Sequence, residues 1–184
     1  LPICVGSTFM ICIPTEVQNR QLNPRSFSTG EMALYFEKKK IKALLVDDVQ
    51  FNLDIIKNFL LKLGITDYVY AYNGVEAVKR YQEAVELGEP FDLITMDLNM
   101  PIMDGKEATK RIREFEKERG LPEVFTLIIS GNCLESEVNS CLNENGDMRA
   151  HFFLKKPVTF EALAKIIFDE FKPKYRSDER LDTV

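Results

Sequence analysis

Between residues 41 and 171 the sequence alternates five short apolar runs with five longer segments of helical spacing, and few folds accommodate such a pattern. The runs cover residues 41–46, 68–72, 91–96, 124–129 and 152–154. The first intervening segment carries Ile56, Phe59, Leu60 and Leu63, the i, i+3, i+4, i+7 stripe of a helix with one buried face. The second carries Val75, Val78, Tyr81 and Val85. The third carries Ala108, Ile112 and Phe115 and stops at Gly120 before Pro122. The fourth, 135–145, is weakly amphipathic and ends at Gly146. The fifth opens at Thr159, a good N-cap, and shows Leu163, Ile167 and Phe171. Five strands alternating with five helices predict an α/β fold, a doubly wound parallel sheet covered on both faces. Right-handed crossovers then bring every strand's C-terminal end to one edge, where such sheets carry their ligands.

Outside that stretch the pattern stops. Residues 1–14 hold one β-branched, aromatic run, Thr8 to Ile13, between Gly6 and Pro14, which reads as an isolated strand. The run is too short to span a bilayer and lacks the basic flank of a signal peptide. Residues 15–40 read as a linker with a short helical lead-in around Met32 to Phe36, and 173–184 as a flexible charged tail. The first residue is Leu, which suggests a fragment. With 45% hydrophobic and 29% charged residues, a core can be buried without a membrane. A net charge of −5 argues against nucleic-acid binding. Cys4, Cys12, Cys133 and Cys141 have neither zinc nor disulfide spacing, and His151 is the only histidine, so reduced thiols in an intracellular protein are expected.

The strand ends carry the chemistry. The first ends in Asp47 and Asp48, the third in Asp97, the fourth in Ser130, and the fifth in Lys155-Lys156-Pro157. A single Asp at a strand end is most often a cap or turn residue, but compatible groups on four strand ends form a set. Two unit charges ~5 Å apart at an effective dielectric near 20 repel by roughly 3 kcal/mol. Either some carboxylates protonate or a cation enters. An all-oxygen set suits a hard divalent ion, Mg²⁺ keeping some of its waters. With that ion and an ammonium offsetting charge, one carboxylate can stay ionised and attack phosphorus, while the Ser130 hydroxyl donates to a phosphoryl oxygen.

At these residues the sequence resembles the receiver domain of two-component signalling. The motifs are Leu45-Val46-Asp47-Asp48; Ala71-Tyr72-Asn73-Gly74-Val75-Glu76-Ala77; Met96-Asp97-Leu98-Asn99-Met100-Pro101-Ile102-Met103-Asp104-Gly105; Ser130-Gly131-Asn132; and Leu154-Lys155-Lys156-Pro157. The likeness spans roughly 41–171 and is nearest to receivers fused to hybrid histidine kinases. It implies the flavodoxin-like receiver fold, five parallel strands in order 2-1-3-4-5, over residues 41–172. It also implies Asp97 as the phospho-accepting nucleophile, with Mg²⁺ held by Asp47, Asp48, Asp97 and the backbone carbonyl of Asn99. Lys156 would pair with phosphoryl oxygens while Lys155 faces solvent. Ser130 and Phe153 would form the switch pair, Phe153 packing inward as Ser130 shifts.

Residues 1–14 resemble the closing strand of the kinase ATP-binding domain. The implied donor is the phosphohistidine of the parent kinase, and the implied acceptor is a histidine phosphotransfer protein. The fragment would then be a cytoplasmic monomer without direct membrane contact or enzymatic activity, belonging to a parent that is a histidine kinase. Three features depart from the family pattern: a longer stretch at 143–150, Phe rather than Tyr at 153, and Ser rather than Thr at 130. Two rivals remain: a receiver-like interaction module that regulates the attached kinase without being phosphorylated, and a phosphohydrolase on a similar sheet. Related phosphatases place a second Asp two residues after the nucleophile, where this chain has Asn99.

Overall fold

The computed structural model describes residues 29–131, 135–143 and 146–171. The strand and tail expected at 1–14 and 173–184, the linker up to residue 28, and Asn132 and Cys133 lie outside the described residues. The elements are α1 (Thr29–Lys39), β1 (Lys42–Val46), α2 (Gln50–Lys62), β2 (Asp67–Ala71), α3 (Gly74–Glu86), β3 (Leu93–Asp97), α4 (Gly105–Arg119), β4 (Phe125–Ser130), α5 (Glu135–Leu142), β5 (Phe152–Lys155) and α6 (Phe160–Ile166), which runs into a π-helical turn, Ile167–Phe171.

All five strands are parallel, in the order β2-β1-β3-β4-β5. Side chains alternate across the sheet, as a pleated strand requires. Leu44, Val46, Ile94, Met96 and Ile128 face a core with α3, α4 and α5. Ala43, Leu45, Leu93, Leu127 and Ile129 face a second core with α1, α2 and α6.

Helix starts follow local chemistry. Asn73 caps α3, its Oδ1 accepting from the Glu76 amide, while Glu76 reaches back to the Tyr72 amide at 3.2 Å. Asp104 caps α4 by accepting from the Glu107 amide, and Thr159 caps α6 through the Ala162 amide. Gly120 ends α4 with φ +63°, a left-handed cap that glycine adopts without steric cost.

The structure departs from the expected stripe on α3. Its buried side chains are Ala77, Tyr81 and Ala84, with Val78 and Val85 at the margin and Val75 exposed. Small alanines let α3 approach α4 closely, and periodicity of large residues alone does not show this. The second half of the expected linker is helical and packed: Phe36 of α1 is buried among α2 and the π-helical turn.

Candidate functional site

Strand register builds the site. Val46 pairs with Met96, Asp97 with Ile129 and Ser130 with Lys155, so Asp47, Asp97, Ser130 and Lys156 emerge together at the C-terminal edge. Asp47, Asp48 and Asp97 each bring a carboxylate oxygen within 4.8 Å of the others. Asp47 and Asp97 are buried and Asp48 is exposed. Lys156 Nζ bridges the two buried acids, 2.8 Å from Asp47 Oδ2 and 3.0 Å from Asp97 Oδ1. Asn99 Nδ2 lies 3.4 Å from Ser130 Oγ, and Ser130 is buried. Lys155 is exposed, as its register implied, and Phe153 is turned inward into the α3–α4–α5 core.

Burial pushes the Asp97 carboxyl above the ordinary carboxylate range, against the opposing pull of the Lys156 hydrogen bond. Burial also works against the charge on Lys156, but the hydrogen bonds from its ammonium to Asp47 and Asp97 outweigh this and hold its pKa above the usual lysine value. Three carboxylates face one ammonium, leaving an excess of two negative charges in an all-oxygen pocket. The donor set therefore fits a hard divalent cation.

One site residue is not evident from the motifs. Asn52, in the first turn of α2, donates its Nδ2 to Asp47 Oδ1 at 3.0 Å, and the Val49 amide donates to the same oxygen at 2.9 Å. These bonds fix the Asp47 rotamer, and its other oxygen is left for Lys156. Gly105 is needed for close approach, because a Cβ there would collide with the Asp97 carbonyl oxygen. A cleft of about 400 Å³ opens beside the acids, lined by Asp47, Phe51, Asn52, Ile56, Lys156 and Pro157. The Lys156–Pro157 peptide bond is cis. His151 takes no part in the site: its Nδ1 accepts from the Thr126 amide at 3.2 Å, and its ring stacks on Phe125.

A doubly wound parallel sheet with an acid–lysine pocket on its C-terminal edge defines the class. Residues 43–168 match the response regulator receiver domain, and the chain belongs to that family. It is 31% identical over 180 residues to hybrid signal transduction histidine kinase K of Dictyostelium discoideum, an alignment covering 96% of this chain and 14% of that protein. The chain thus spans only a small part of this relative. The receiver domain of Ssk1 from Saccharomyces cerevisiae, solved with the histidine phosphotransfer protein Ypd1, superposes with a TM-score of 0.63 at 31% identity, covering 73% of this chain and 91% of that one. The CheX–CheY–BeF3–Mg²⁺ complex of Borrelia burgdorferi matches with a TM-score of 0.62 at 27% identity, covering 71% and 89%. Among the described residues, no helix is long and apolar enough to cross a membrane.

Proposed function

We propose that the chain takes a phosphoryl group from a phosphohistidine onto Asp97 and relays it to a histidine phosphotransfer protein. The observation that carries this reading is Lys156 bridging Asp47 and Asp97 inside a pocket with excess negative charge. An Asp97 carboxylate oxygen attacks phosphorus, the P–N bond breaks, and the departing imidazole takes up a proton, leaving an acyl phosphate on Asp97. Lys156 turns its ammonium to the phosphoryl oxygens, and the Ser130 hydroxyl donates to another. Asp47, Asp48, Asp97 and the Asn99 carbonyl would hold Mg²⁺, which when bound offsets charge on the transferring group. Phe153, packed inward beside Ile128, is the aromatic partner of Ser130 in the switch this reading assigns.

Exposed apolar side chains follow three of the strand ends on the pocket's edge of the sheet: Val49 and Phe51 after β1, Tyr72 and Val75 after β2, and Ile102 after β3. Such an apolar rim beside a charged centre suits a protein that presents a histidine. The Ssk1 receiver, solved with Ypd1, supports this partner class. The alignment with the Dictyostelium kinase supports a parent chain of the hybrid kinase type. In this reading the parent acts in the cytoplasm, residues 1–14 close its ATP-binding domain, and 41–172 form the receiver.

The test is transfer from a phosphorylated histidine phosphotransfer protein. Label is expected to move to this chain in the presence of Mg²⁺ and to stay on the donor with Asp97→Asn. A folded chain that binds the donor without accepting label would point instead to a non-phosphorylated interaction module.

A further inference from the structure

Residues 29–39 lie outside the stretch that matches the receiver family, yet they pack as part of it. Phe36 is 0% exposed and stacks on Phe171, with ring centroids 6.2 Å apart and planes inclined by 25°. Phe171 meets the edge of Phe125 in β4 at 5.3 Å, and Tyr35 sets its ring edge-on to Phe36 at 5.1 Å. An aromatic chain therefore runs from α1 through the π-helical turn into the sheet.

A second, independent contact lies at the end of α2. Gly64 has φ +80°, and a Cβ there would run into the carbonyl oxygen of Ala33. A bare backbone is what lets α1 seat against that turn. Ile41, Leu63, Ile65 and Ile167 are buried in the same core. The seat lies where α2 ends, and the first turn of α2 holds Asn52 against Asp47. One helix thus touches the acidic pocket at its start and the α1 seat at its finish.

A helix of 11 residues is marginal by itself in water, so the order of α1 comes from docking. We propose that the base of the receiver is an intramolecular docking site for the chain's own lead-in helix, gripped by the Phe36 socket and the Gly64 seat. Docking fixes where the polypeptide upstream of Thr29 leaves the domain. The exit point of the domain is then Thr29, beside the Gly64 seat, rather than Ile41.

Hydrogen–deuterium exchange on the full chain tests this. In the parent protein, amides of residues 34–39 are expected to be protected alongside those of α2. Glutamate is a good helix former, so Phe36→Glu removes the buried ring without lowering helix propensity. It should speed exchange across 34–39 by roughly 10–100-fold, the loss expected for one large buried aromatic ring, and leave β3 and α4 unchanged. Gly64→Ala, which drives a Cβ against the Ala33 carbonyl and strains a left-handed backbone, should raise exchange in α1 and the last turn of α2. Uptake of phosphoryl from acetyl phosphate on each variant shows separately that the acidic pocket is still formed. Unprotected amides at 34–39 in the parent chain, or unchanged protection of α1 in both folded variants, would overturn the proposal.

Discussion

Lys156 Nζ stands 3.0 Å from Asp97 Oδ1 while also holding Asp47 at 2.8 Å, so a single ammonium keeps two buried carboxylates in one pocket. Replacing it with Ala leaves those acids facing one another. The expected cost to the metal-free chain is about 1.5–3 kcal/mol, the range for hydrogen bonds to charged groups. Saturating Mg²⁺ should recover most of it, because the cation replaces the lost positive charge. Urea titration with and without Mg²⁺ checks this, and phosphoryl uptake should fall in either case.

Asp97→Asn tests the electrostatics in the opposite sense. Burial raises the Asp97 pKa, so the folded chain holds that proton more tightly than the unfolded chain. The resulting stability is present below the ordinary carboxylate value of 3.8 and is lost as pH rises through the raised value. Without divalent ions, Asp97→Asn is therefore expected to melt above the parent at pH 7, with the gap closing as pH falls toward 4. For a chain of this size, each ~1 kcal/mol shows as about 2–4 °C in Tm. A melting difference that grows on acidification would contradict the assignment.

Arg113 and Glu116 form a second buried ion pair, 2.7 Å apart and each 1% exposed. Tyr81 donates to Glu116 Oε1 at 2.8 Å, the Val124 amide donates to the same oxygen, and burial pushes the Tyr81 hydroxyl well above its usual pKa. Arg113 also donates to the carbonyls of Val124 and Met148 and to Thr126 Oγ1, tying the segment before β5 to α4. Arg113→Met alone is expected to cost about 3–5 kcal/mol, because Glu116 is left buried and unpaired. Combining it with Glu116→Leu should cost much less than the sum of the two single changes. A double-mutant cycle in urea measures the coupling.

Ile102 is a β-branched residue at φ +71° and is 84% exposed on the loop after β3. Isolated from any partner, Ile102→Gly should stabilise the chain by about 1 kcal/mol, since the backbone strain of that conformation is relieved. In the proposed relay it should also slow transfer from a phosphohistidine protein, while uptake from acetyl phosphate stays unchanged. Equal effects on both donors would remove Ile102 from the docking rim.

Strand positions and site acids are legible because both depend on local signals: apolar runs of three to six residues, each closed by a polar group. Asp47, Asp97, Ser130 and Lys156 converge as their strand ends imply. Helix α1 was visible only as a short lead-in, because its stability comes from Phe36 and Gly64, which are 28 residues apart in sequence and carry no shared pattern. Nothing in the sequence around Arg113 and Glu116 marks them as buried; only the fold shows that β4 and the segment entering β5 close over them. The buried face of α3 departs from the periodicity at Val75 because Ala77 and Ala84, which do the packing, add little to a hydrophobic stripe. Nothing in the neighbours of Asn52 marks its amide as the partner of Asp47.

Intact-mass spectrometry after incubation with acetyl phosphate, with and without Mg²⁺, addresses the acceptor chemistry most directly when run on the parent chain and on Asp97→Asn. A single phosphoryl adduct that requires both Mg²⁺ and Asp97 is the expected result. No adduct on the folded parent chain, or an adduct that persists in Asp97→Asn, would contradict the assignment of Asp97 as acceptor.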